Sequence, residues 1–239
     1  MQHFAPYSMT HLLTVVACAV ICLAIWRLAS APDREPGVRR WWIRGIIVVQ
    51  AANAIFFATH QPFDWAVALP LQVCDIVGWV AAWSLATDRR LPRTILVFAG
   101  LLLCGQAFVT PTLSEGPATL RFWLFFATHL QVVASAFYEV IIRGYTPSLR
   151  DAAAAWGVLF AYAMLMVPLN LATGWNYGYV GPGRPGAFTA IDVLGPWPFR
   201  LLVMGVILAG GELGLVAAIR FALPLLHRRP VHGPSTLTP

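Results

Sequence analysis

The sequence predicts an all-α fold: a polytopic membrane helical bundle of about seven transmembrane helices, amino terminus outside and carboxyl terminus cytoplasmic. Three observations predict it. The chain is 59% hydrophobic and only 11% charged, with a mean hydropathy of +0.70, well beyond an ordinary soluble domain. About 20 apolar residues cross a hydrocarbon core of about 30 Å as a helix, and seven such runs can be read along the chain. The cations, all sixteen of them arginine, gather at alternate connections between these runs.

The first run, 10–29, ends at Ala29-Ser30-Ala31, which resembles a signal-peptidase site. The segment before it lacks a basic leader and is interrupted by Trp26-Arg27, so the span is expected to stay. The second run is 42–59. The third, 65–86, carries Pro70 near its start, where a kink and a freed carbonyl are expected. The fourth is 93–109 and the fifth 120–142, stopped by Thr146-Pro147. Ser148-Leu149-Arg150-Asp151 reads as an N-cap with an acid at the third position, opening the sixth, 151–173. Pro168 is expected to kink that helix beside Asn170. Pro196 and Pro198 suit the start of the seventh, 198–223, in which Gly210 and Gly214, with Gly211 between them, offer a small-residue face to a neighbouring backbone. Only the sixth connection is long, so 1–239 reads as one transmembrane domain, with 224–239 a short cytoplasmic tail.

Arginine counting orients the bundle. Arg34, Arg39, Arg40 and Arg44 flank the first connection, Arg89, Arg90 and Arg93 the third, Arg143 and Arg150 the fifth, and Arg220, Arg228 and Arg229 the tail. The second connection has none, the fourth only Arg121, and the sixth Arg184 with Arg200 beyond it. The positive-inside rule then puts the amino terminus outside. The net charge of +6 therefore reports topology and not a nucleic-acid surface. The expected location is the plasma membrane, multi-pass, with membrane phospholipids as partners.

Polar groups at membrane depth are costly and point to function. Leu69-Pro70-Leu71-Gln72-Val73-Cys74-Asp75 carries three of them. At 1.5 Å per residue, Cys74 lies about 13 Å past Trp65, and His129 the same distance past Leu120 on a helix running the same way. A cysteine and a histidine at matched depth form the minimum nucleophile and base, since the thiolate attacks and the imidazole accepts its proton. An Asn, Gln or Asp would orient the imidazole or donate to an oxyanion. His11, Asn170 and Glu212 fall at or above the midplane, and Asn176 and Tyr177 belong to the long connection 174–197. Together with Gln72 and Asp75 these are the candidate lining or orienting residues.

Plainer readings stand beside the functional ones. Cys18, Cys22 and Cys104 read as small core hydrophobes, and with every cysteine inside a span no disulfide framework is expected. His129 also reads as a packing residue. Trp175, Tyr177, Tyr179 and Trp197 read as an aromatic belt. Glu139 and Arg143, an i,i+4 pair near the inner end, read as interfacial anchors. His11, Cys74, Asp75, His129 and Glu212 are of zinc-binding types, but no pair pre-organises two ligands on one turn, so neither metal nor cofactor is implied. Asp75, Glu212 and Asn53, with the proline-broken helices, equally fit a transporter path.

Over nearly its full length the chain resembles the YwaF-like family of bacterial integral membrane proteins, whose eukaryotic relative is transmembrane protein 164. The matching pieces are Phe4 with Tyr7-Ser8-x-x-His11, Leu69-Pro70-Leu71-x-x-Cys74-Asp75, His129, Gly144-Tyr145-x-Pro147, Asn170, Gly174-x-Asn176-Tyr177 and Leu194-Gly195-Pro196-Trp197-Pro198. The eukaryotic relative resembles a cysteine-dependent acyltransferase acting on ether phospholipids. The resemblance implies Cys74 as the acyl-accepting nucleophile and His129 as its base. Many members have histidine where this chain has Gln72.

Overall fold

The structure, a computed structural model, describes residues 4–183 and 190–226. The expected tail beyond 226, with Arg228 and Arg229, and Arg184 of the sixth connection lie outside the described residues. Seven helices long and apolar enough to cross a membrane are present, and no strand occurs among the described residues.

Helix α1 (Met9–Ala29) opens on Ser8, whose side chain accepts from the His11 N–H. Helix α2 (Glu35–Thr59) starts before the expected 42, because the apolar run marks only the lipid-buried part of a longer helix. Pro36 fits its first turn, where a missing N–H costs nothing, and Glu35 pairs with Arg39 at 3.2 Å. The third span is two helices, α3 (Trp65–Ala68) and α4 (Val73–Ala86), separated at Pro70. Helix α5 (Arg90–Leu102) passes into a 3-10 turn over Cys104–Phe108. Helix α6 (Leu120–Ile141) is the most buried span. Helix α7 (Leu149–Thr173) has the expected capping box between Ser148 and Asp151, and it runs through Pro168 as one helix. Gly174 ends it in the left-handed conformation, φ 72°, which a residue without Cβ adopts freely. Helix α8 is Phe199–Leu226.

Helix α6 packs against α1, α2, α4 and α5, while α7 and α8 close the other side against α5. The main core joins Ile46, Val77, Ala81, Leu85, Leu96, Val132 and Ala136. Gly78 of α4 leaves room for the Gln50 side chain of α2 to lie against the helix, since a Cβ there would fall 1.9 Å from the Gln50 amide. On α8 it is Gly211 that faces a neighbour, at 3.5 Å from Leu102, whereas Gly210 and Gly214 have open space beside them. Of the expected small-residue face, Gly211 is the member that meets a neighbour among the described residues.

The arginine-rich end is held by a buried ion cluster. Glu139 is fully buried. It accepts from Ser84 at 2.7 Å, Arg93 at 2.8 Å and Arg143 at 2.7 Å, and Arg143 also pairs with Asp88. The expected interfacial anchor is therefore an internal brace joining α4, α5 and α6. The i,i+4 spacing identified the pair correctly, but it could not reveal that the α6 face bearing Glu139 turns inward.

Candidate functional site

The site is built on the break in the third span. Pro70 carries no N–H and disfavours helical geometry in the residue before it, and Leu69 is accordingly extended at φ −76°, ψ 124°. The chain restarts at Gln72, extended at φ −65°, ψ 146°, which caps α4. Cys74 is thus the second residue of a helix rather than a mid-helix residue of a kinked span. The first amides of a helix lack intrahelical acceptors and carry partial positive charge. That is an environment suited to a thiolate. Asp75 is third in the helix, where a carboxylate lies near the free amides of the first turn. Its Oδ1 also meets Asn53 Nδ2 of α2 at 3.5 Å. Asp75 thus sits in the first turn of α4, beside Cys74 and in contact with α2.

Two side chains neighbour the Cys74 sulfur closely enough to act on it: the His129 imidazole of α6 and the Cys104 thiol of the 3-10 turn, against whose cluster Cys74 packs. His129 is buried, and its Nδ1 lies 2.7 Å from the carbonyl of Phe125, one turn earlier. A carbonyl only accepts, so Nδ1 carries a proton and Nε2 is the nitrogen left to exchange one. The orienting group that the sequence assigned to an Asn, Gln or Asp is thus a backbone carbonyl. The Phe125 ring packs on His129 at 4.5 Å between centroids, fixing the plane of the imidazole.

A clasp from the sixth connection holds the break in place. Gln72 Oε1 accepts from the Gly178 N–H at 3.1 Å, Tyr162 Oη donates to the Leu71 carbonyl at 2.8 Å, and Tyr177 Oη donates to the Trp65 carbonyl at 3.2 Å. Asn170, fully buried, accepts from the Tyr177 N–H and donates to its carbonyl, each at 2.9 Å. Asn176 Oδ1 accepts from the Gly181 N–H at 3.0 Å, closing the same loop. Tyr177 is 1% exposed and so is no part of an aromatic belt. Burial raises its phenol above the ordinary value, with the Asp64 and Asp75 carboxylates adding to the effect. Asn170, Asn176 and Tyr177 support the site without reaching its sulfur.

Two candidates lie apart from this cluster. His11 bonds the Tyr7 N–H at 3.0 Å and the Phe108 carbonyl at 3.2 Å, within an aromatic cluster of Phe4 and Phe126. Glu212 is buried on α8 with Oε1 unpartnered. Sequence reasoning missed Cys104, Tyr162 and Gly178. Among the described residues no group of three or more His, Cys, Asp or Glu side chains is arranged to hold a metal ion.

The TMEM164 family pattern matches residues 6–212. The chain belongs to the TMEM164 family, and it is a multi-pass integral membrane protein. No curated protein and no solved structure matches it.

Proposed function

We propose that this chain is a cysteine-dependent phospholipid acyltransferase or lipid hydrolase of the bacterial YwaF-like branch. It would lie in the plasma membrane with its amino terminus outside and its site in the outer half of the bilayer. The observation that carries the reading is the seat of Cys74: a sulfur in the first turn of a helix, against a histidine whose far nitrogen is tied to the Phe125 carbonyl. Nothing in a packed core calls for that combination.

The chemistry follows from the tautomer. His129 Nε2 takes the thiol proton, and the Cys74 sulfur attacks the carbonyl carbon of a lipid ester. The positive amino-terminal end of α4 stabilises the oxygen that becomes negative. The ester C–O bond breaks, the imidazolium returns its proton to the leaving alkoxide, and the acyl group remains as a thioester. A lipid hydroxyl or water then gives its proton to Nε2 and attacks the thioester, and the sulfur leaves as thiolate to be reprotonated. A hydroxyl makes this a transfer, water a hydrolysis. Gln72, which accepts from Gly178, serves the scaffold, so its difference from the family histidine leaves the nucleophile and base intact.

The test is labelling of purified protein with a thiol-reactive acyl probe. Wild type should label and Cys74→Ala should not; equal labelling of the two would sink the proposal. A transporter remains the second reading because Gln50 Nε2 and Gln131 Oε1 are buried without partners inward of the Asp75–Asn53 contact. It predicts that Cys74→Ser keeps function while Asp75→Asn abolishes it.

A further inference from the structure

We propose that Cys74 and Cys104 form a redox pair in which Cys104 resolves an oxidised Cys74 into a reversible disulfide between α4 and the 3-10 turn that follows α5. Cys104 is fully buried, and Cys74 packs directly against its cluster. Cys18 and Cys22, by contrast, lie on α1 away from this cluster and face an apolar cavity of about 860 Å³, so the plain core reading suffices for them. Both thiols of the pair are free in the structure.

The local backbone favours closure. Cys104 starts the 3-10 turn where α5 has ended at Leu102, and Gly105 follows it. Cys74 likewise sits in the first turn of α4, after the break. Each sulfur is therefore carried by a segment end, where a shift of a few tenths of an ångström disturbs few backbone bonds. A thiol seated at a helix amino terminus beside a histidine is also the one that peroxides oxidise first.

The reaction balances with a hydroperoxide as oxidant. The Cys74 thiolate attacks the terminal peroxide oxygen, the O–O bond breaks, and an alcohol or water leaves after taking a proton from His129, giving a sulfenic acid. The Cys104 thiol attacks that sulfur, its proton joins the departing hydroxide as water, and the S–S bond forms. Two thiols are oxidised by two electrons and one peroxide is reduced. A small dithiol reverses the bond by exchange. The pair thus withdraws the nucleophile reversibly and spares it irreversible oxidation. This inference does not depend on acyl transfer, since the bond is read directly.

The experiment is treatment of the purified full-length protein with stoichiometric hydrogen peroxide, followed by alkylation, intact mass and peptide mapping. The expected result is loss of two titratable thiols and of the mass of two hydrogens, a cross-link joining the Cys74 and Cys104 peptides, and full recovery with dithiothreitol. In Cys104→Ser, which keeps the side chain's size, dimedone should instead trap a sulfenic acid on Cys74. Direct passage of wild-type Cys74 to sulfinic acid with Cys104 still titratable overturns the proposal. So does a cross-link through Cys18 or Cys22, or a Cys104→Ser protein that loses and recovers its Cys74 thiol as the wild type does.

Discussion

Gly178→Ala tests whether the clasp fixes the broken helix. Gly178 has φ +62°, and a Cβ there would come within 2.7 Å of Tyr162 Cε1 and 3.1 Å of its hydroxyl. The left-handed backbone alone costs a residue with a Cβ about 1–2 kcal/mol. The Tyr162 ring can yield only by giving up its bond to the Leu71 carbonyl, and the displaced loop also strains the Gly178 to Gln72 bond. At about 1 kcal/mol for each bond, the total is about 3–4 kcal/mol. Gly144→Ala is the matched control, with φ +64° and nothing within 4 Å of the added carbon, so it carries only the backbone cost. In a thermal unfolding assay in detergent, with about 2–4 °C per kcal/mol for a chain of this size, Gly178→Ala should lower the midpoint by roughly 10 °C and Gly144→Ala by about half as much. The alkylation rate of Cys74 should change only in Gly178→Ala. Equal midpoints, or an unchanged Cys74 rate in Gly178→Ala, would refute the role given to the clasp.

Asn170→Ala removes both bonds to the Tyr177 peptide and leaves its N–H and carbonyl buried without partners. It should destabilise by about 2–4 kcal/mol, and a loss under about 1 kcal/mol in denaturant titration would contradict that accounting. Glu139→Gln leaves Arg93 and Arg143 facing each other without the carboxylate between them. Breaking a buried pair costs about 3–5 kcal/mol, to be read as a lowered thermal midpoint with Cys74 labelling retained in the folded fraction. The folded-state pKa of Tyr177 is raised above its ordinary 10.0, so its contribution is complete below that pH and is lost as pH rises through the folded value. Unfolding measured across alkaline pH should be less pH-dependent in Tyr177→Phe than in the wild type.

The seven spans were legible because length and hydropathy suffice to predict a membrane helix, and the Ser148 capping box was legible because it is local. Helix rise alone sets Cys74 and His129 at one level, and in the structure they are neighbours. Cys104, five residues from the end of its predicted run, carried no such signal, because a buried cysteine is usually a hydrophobe. Pro70 announced a disturbance but not its size: a kink and a break both follow from one missing N–H, and only the fit of Tyr162 and Gly178 selects the break. Those contacts span 91 and 106 residues, beyond any local signal. The orienting carbonyl of Phe125 was invisible for another reason, since every residue has one and composition cannot mark it.

The central claim is that Cys74 carries an acyl group with His129 as its base, and intact-mass measurement after brief incubation with a defined phospholipid tests it most directly. The account predicts an acyl adduct on Cys74 that hydroxylamine removes, that forms more slowly in His129→Ala, and that is absent from Cys74→Ala. An adduct of equal yield in Cys74→Ala, or none in the wild type while the lipid is still turned over, would contradict it.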